Sequence, residues 1–222
     1  MMIDISSELI TRNLTLPVIF DLGAVFVFGI TGALAAVYRG YDFIGLFALA
    51  FVTGVGGGLI RDSVFIQHGP PAVATDWRYF FAILLSGIVG LLFHKRKKNI
   101  RKIIAFFDAV GLGAYAVVGV QKALAASLSI PASIMVGVIN AAGGGLLRDI
   151  LVREEPLLFK PGQLYVLAAL AGCVLFILVT RYSGIRAEVA ALITIVFTFL
   201  LRVLAIKFNW STKPLYRSEG EE

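Results

Sequence analysis

The chain has 222 residues, 59% of them apolar and 15% charged, with a net charge of +6. A soluble domain carries about 25% charged residues, and a chain this short keeps too much of its surface wet to hide so much apolar material in one core. The composition therefore excludes an ordinary soluble domain and selects lipid as the solvent.

A helix that crosses a bilayer needs roughly 20 mostly apolar residues. Seven runs meet or approach that length: Pro17–Val37, Phe43–Ile66, Trp77–Phe93, Ile103–Ala126, Pro131–Val152, Leu164–Thr180 and Ala187–Phe208. Turn or charge signals separate them: Arg39-Gly40, His68-Gly69-Pro70-Pro71, the basic stretch His94–Lys102, Ser127–Pro131, Glu154-Glu155-Pro156 and Arg181–Arg186. The loops are mostly short, so sequential helices are expected to pack antiparallel. The predicted fold is an all-α integral membrane protein.

The basic stretch, HKRKKNIRK, lies between two apolar runs, which favours a loop at a membrane face over nucleic-acid binding. Cytoplasmic loops carry an excess of Lys and Arg. With this stretch inside, Arg39, Lys95, Arg96, Lys97, Lys98, Arg101, Lys102, Arg153, Lys160, Lys207, Lys213 and Arg217 are cytoplasmic. Only Arg12, Arg78, Lys122, Arg181 and Arg186 are outside, and Arg61, Arg148 and Arg202 lie at membrane depth. The N-terminus is then outside and the C-terminus cytoplasmic. Trp77, Tyr79, Tyr165 and Trp210 read as residues of the interfacial aromatic belt, and Arg202 as a contact to lipid or a neighbour.

The sequence repeats itself. GGGLIRD at 56–62 returns as GGGLLRD at 143–149, an offset of 148 − 61 = 87 that also links Phe20-Asp21 to Phe107-Asp108, Gly32 to Gly119 and Thr53 to Asn140. Repeat one covers about 17–93 and repeat two about 103–180, with a seventh helix at about 187–208, all in one membrane domain. Three helices is an odd number, so the second copy enters the membrane from the opposite face. The expected architecture is two inverted three-helix repeats plus one extra helix.

Gly56, Gly57, Gly58 and Gly143, Gly144, Gly145 sit within membrane helices, where each glycine costs about 1 kcal/mol relative to alanine. They serve either close helix packing or a broken helix that lines a polar path, and the inverted duplication favours the second. The paired charges Arg61, Asp62, Arg148 and Asp149 should face the interior. Cross-repeat pairs, Arg61 with Asp149 and Arg148 with Asp62, would lock the repeats together. Asp21 and Asp108, near the starts of the first and fourth helices, read either as helix first-turn carboxylates or as acidic mouths that gather cations. Thr53 and Asn140 offer side-chain oxygens to a path, or serve as caps or packing groups. Lys122 either snorkels to the interface or acts as a gating charge. Cys173 is the single cysteine and packs as a small hydrophobe. Two histidines, His68 and His94, are too few for a metal site. No nucleophile with a base and an orienting group can be assembled, and no phosphate loop is present, so neither an enzyme nor a cofactor is expected.

These motifs are similar to those of the prokaryotic branch of the trimeric intracellular cation (TRIC) channel family. The resemblance rests on TGVGGGLIRD at 53–62, NAAGGGLLRD at 140–149, FDLGAVFVFGITGALAA at 20–36, FDAVGLGAYAVVG at 107–119 and EEPLLFKPGQLY at 154–165. It implies a seven-helix protomer, a homotrimer, and one potassium-permeable pore per protomer lined by second and fifth helices kinked at Gly56–Gly58 and Gly143–Gly145. Potassium is the expected permeant ion, with sodium as a second. Animal members sit in intracellular membranes and carry a long lysine-rich tail that this chain lacks, which points to a prokaryotic cytoplasmic membrane. Some bacterial relatives are described as glycine transporters. A secondary transporter of a small amino acid is therefore the second reading, with Asp62 or Asp149 holding the ammonium.

Overall fold

The computed structural model describes residues 15–93, 99–160 and 164–210, and all its regular structure is helical. Most of the basic stretch (94–98), Arg12, Lys213 and Arg217 lie outside the described residues.

Seven principal helices follow in chain order. They are α1 (Ile19–Arg39), α2 (Phe43–Ile60), α3 (Trp77–Leu92), α4 (Ile100–Ala125), α5 (Ile130–Leu151), α6 (Tyr165–Tyr182) and α7 (Ala187–Lys207). Several boundaries have a local cause. α1 stops at Gly40, whose φ of 76° returns its N–H to the carbonyls of Ala36 and Val37. α2 begins at Asp42, whose carboxylate accepts the Gly45 N–H at 2.7 Å. Asp76 caps α3, and the Arg78 side-chain hydrogen bond holds the Asp76 carboxyl below its ordinary pKa. α5 begins at Ser129, with Pro131 in its first turn.

Six of the seven helices are long and apolar enough to cross a membrane. The exception is α3, whose 16 residues span only about 24 Å. Large apolar side chains such as Phe80, Phe81, Leu170, Leu178, Leu192 and Leu200 stay exposed on α3, α6 and α7, as expected of surfaces that face lipid.

Within the chain, α1 packs on α4 and α2 packs on α5, and these two contacts join the repeats. α3 lies against α1 and α2, α6 lies against α4 and α5, and α7 covers α4 and α6. Gly57 of α2 meets Asn140 of α5, and Gly144 of α5 meets Thr53 of α2. Numbers rising along one helix meet numbers falling along the other, so α2 and α5 are antiparallel and the repeats are inverted. Both contacts also obey the 87-residue offset, 57 + 87 = 144 and 53 + 87 = 140. A pseudo-two-fold axis therefore passes through this crossing.

The expected breaks at the glycine triplets do not occur. α5 is continuous from Ile130 to Leu151, through Gly143–Gly145, and α2 stays α-helical to Ile60. The irregularity falls just after the first triplet, where Arg61–Ile66 forms a π-helical extension ending at Gln67 in the left-handed region. The glycines are there for proximity. A Cβ on Gly57 would collide with the Asn140 carbonyl oxygen, and one on Gly144 with the Thr53 carbonyl oxygen. Backbones that close exclude any side chain, which is the usual role of small residues between membrane helices.

Candidate ion pathway

The Arg-Asp motifs build two charge clusters at opposite ends of the bundle. In the first, Arg61 donates to Asp62 through Nε at 2.6 Å and pairs with Asp21 at 3.4 Å. The Asp21 Oδ2 also accepts from the Tyr79 hydroxyl at 2.7 Å and from Lys122 Nζ at 2.6 Å. In the second, Arg148 pairs with Asp149 at 2.9 Å and Asp108 at 3.0 Å. Arg202, from α7, places its guanidinium 4.8 Å from the Tyr165 ring centre beside this cluster. Each cluster thus gathers two carboxylates, two cations and one tyrosine, all but Lys122 and Asp62 buried. Balancing charge locally is what makes such groups tolerable at membrane depth.

Several expectations are corrected by this arrangement. The arginines pair within their own repeat, not with Asp149 and Asp62 across it. Adjacent motif residues already face one another, and Asp21 and Asp108 supply the second carboxylate. Asp21 and Asp108 are 3% and 0% exposed, so they are ion-pair partners and not acidic mouths. Asp21 does lie in the first turn of α1, but α4 starts at Ile100, which sets Asp108 two turns inside. Tyr79 and Tyr165 are buried beside the clusters and do not belong to the interfacial belt, whereas Trp77 and Trp210 are exposed. Arg202 is buried under Tyr165, not turned toward lipid. Lys122 ties α4 of repeat two to Asp21 of repeat one and is 29% exposed at its side chain.

Each motif arginine also reaches across the axis. Arg61 Nη1 donates to Asn140 Oδ1 at 3.3 Å, and Asn140 Nδ2 donates to the Tyr115 carbonyl at 2.6 Å. Arg148 Nη1 donates to Thr31 Oγ1 at 2.9 Å, and Thr31 Oγ1 donates to the Phe28 carbonyl at 2.7 Å. Phe28 and Tyr115 occupy equivalent positions, 28 + 87 = 115, and their rings stack at 5.2 Å between centroids. The Tyr115 hydroxyl donates to the Gly54 carbonyl of α2. Thr53 and Asn140 are both fully buried in this region and neither caps a helix. Phe28, Thr31 and Tyr115 were not singled out by the sequence. The 87-residue offset pairs Phe28 with Tyr115 within the quoted repeats, and that was the available signal.

Recesses enter from both ends of α4. At its N-terminal end a cavity of about 560 Å³ is lined by Ala35, Arg39, Arg101, Arg148, Asp149 and Lys160, among others. At its C-terminal end a recess of about 360 Å³ is lined by Asp62, His68, Ala72 and Lys122. A void of about 10 Å³ shares Asp62 and Ala72 with that recess and reaches Arg61, Gly58 and Tyr115. Among the described residues no cluster of His, Cys, Asp and Glu has the makings of a metal site.

One family model, described as glycine transporter, matches the chain twice, at residues 18–95 and 105–181. The UPF0126 membrane protein of Deinococcus radiodurans is 31% identical over 80% of this chain and 83% of its own. The UPF0126 inner membrane protein YadS of Escherichia coli is 30% identical over 85% and 91%. Among solved structures, the TRIC trimeric intracellular cation channel orthologue from Rhodobacter sphaeroides superposes with a TM-score of 0.80 at 31% identity, covering 86% of this chain and 97% of that one.

The chain belongs to the prokaryotic TRIC family. It is a multi-pass inner membrane protein of a channel family, not an enzyme. A structure solved for the conductance of TRIC cation channels gives a TM-score of 0.78 at 30% identity. The TRIC counter-ion channels of calcium release share the fold at 19% identity and a TM-score of 0.56. The double family match starts 105 − 18 = 87 residues apart and ends 181 − 95 = 86 apart. The end offset relates Tyr79 to Tyr165, the two cluster tyrosines of this TRIC protein.

Proposed function

We propose that this protein is a monovalent-cation channel permeable to potassium and sodium, working as a homotrimer with one pathway in each protomer. The observation that carries this is the pair of recesses at opposite ends of α4: one reaches Arg148 and Asp149, and the void beside the other reaches Gly58 and Tyr115 next to the α2–α5 crossing. In this reading the path joins the recesses through the crossing, past Gly56–Gly58, Gly143–Gly145, Thr53 and Asn140. The closeness of the chain to TRIC channels of known structure supports both the cation and the trimer. The orientation with the N-terminus outside is supported by the basic side chains Arg39, Arg101 and Lys160 around the larger cavity.

A second reading is transport of a small amino acid. It is favoured by the description of the matching family model and by the suitability of inverted repeats for alternating access. Planar-bilayer recording of the purified protein in a potassium chloride gradient, with and without glycine, separates the two. Unitary steps reversing near the potassium potential without glycine are expected. A silent bilayer together with saturable glycine uptake into liposomes of the same preparation would replace the channel by a transporter.

A further inference from the structure

We propose that Phe28 and Tyr115 form the closed gate of the pathway, held shut from the two sides by the Arg148–Thr31 and Arg61–Asn140 bridges. This rests on the channel reading and names the barrier within it. A path along the bundle must cross the pseudo-two-fold axis at mid-depth, because the axis relates its two halves. The residues on that axis are the α2–α5 glycine contact and, beside it, the stacked Phe28 and Tyr115 rings, both fully buried. The void on one side ends on Tyr115. On the other side the large cavity ends on Arg148 and Asp149, and Arg148 leads through Thr31 to the Phe28 carbonyl. Two apolar faces in contact leave no space for a hydrated cation and offer it no oxygen ligand.

The gate is coupled to both recesses. Each motif arginine is tied through one polar side chain of the other repeat to the carbonyl of one gate residue. The duplicated sequence does not dictate this: Thr31 corresponds to Val118, and Asn140 to Thr53. Two unrelated side chains reach the same bonding pattern from opposite sides. The Tyr115 hydroxyl adds a latch that its partner lacks, since phenylalanine has none. The latch binds the Gly54 carbonyl of α2, so the ring cannot turn aside without freeing that oxygen. Thr31 and Asn140 are positioning residues in this scheme, and Phe28 and Tyr115 are the barrier.

The test is single-channel recording of Phe28→Ala, Tyr115→Phe and Thr31→Val beside the unaltered protein, each checked for a monodisperse, folded preparation. Thr31→Val keeps the volume and deletes only the bridge. The expected result is an open probability raised about tenfold in Phe28→Ala and severalfold in the other two, with the reversal potential unchanged. A folding defect would lower activity, not raise it. Open probability equal to or below that of the unaltered protein in folded Phe28→Ala and Thr31→Val overturns the gate and leaves the channel reading standing. If every preparation is silent, the channel reading fails and the gate is read without flux. In a Cys173→Ser background, Ala105→Cys lines the large cavity. A membrane-impermeant thiol reagent applied from the opposite face should modify it only when Phe28→Ala is also present, and absence of modification overturns the gate.

Discussion

A guanidinium buried in a membrane protein calls for acceptors around it, and Arg148 finds one at each of its three nitrogens. Its Nε and Nη2 meet Asp149, and its Nη1 serves Asp108 and Thr31. Removing one partner of a buried pair strands the others, at a cost of about 3–5 kcal/mol. Arg148→Leu should therefore lower the thermal midpoint in detergent sharply. Arg148→Lys, which keeps the charge but not the planar fork, should fall between. The glycines give a second residue-scale prediction. Gly57→Ala and Gly144→Ala push a methyl into a facing carbonyl and should each cost about 1–3 kcal/mol of stability. Gly58→Ala meets only the Arg61 guanidinium, at 3.5 Å, and gains helix propensity, so its midpoint should be unchanged or higher. Equal losses at all three positions would show that glycine acts through helix flexibility and not through close contact. The motif charges and glycines were legible in the sequence because they recur. Their partners were not, because adjacency in the chain does not say which way a buried arginine turns.

At the scale of the helix, duplication explains most of the pairing and the exceptions explain the asymmetry. The position equivalent to Lys122 is Ala35 (122 − 87 = 35), so the lysine bridge between the repeats at one end of the bundle has no duplicated counterpart at the other. α7 stands outside the duplication and brings Arg202 to the Tyr165 side. α7 is seated by small residues: a Cβ on Gly172 would collide with Thr198, and Gly113 lies against the Ile195 backbone. Gly172→Val should push α7 off α6 and lower the thermal midpoint in detergent. An unchanged midpoint would mean that α7 is held elsewhere. The seven helix spans were readable from apolar length and turn residues to within about three residues, since lipid demands a fixed length of apolar chain. The π-helical extension of α2 was not readable, as its side-chain period over six residues hardly departs from that of an α-helix.

For the whole molecule, the basic residues predict one orientation. In a Cys173→Ser background, Lys160→Cys should react with an impermeant thiol reagent only from the cytoplasmic face, and Thr75→Cys only from the outside. The reverse pattern would overturn the orientation while leaving the fold intact.

The sequence by itself determined the solvent, the helices, the duplication and the inversion. These follow from composition, apolar length, a constant offset and the parity of three, and none of them needs a distance. Only the tertiary structure decided that the glycines join helices instead of breaking them, and that Asp21 and Asp108 neutralise buried arginines instead of standing at a mouth. It also brought Phe28 against Tyr115 on the axis. Those outcomes depend on which atoms meet across two repeats, and a contact between residues about 90 apart in the chain is set by packing, not by local pattern.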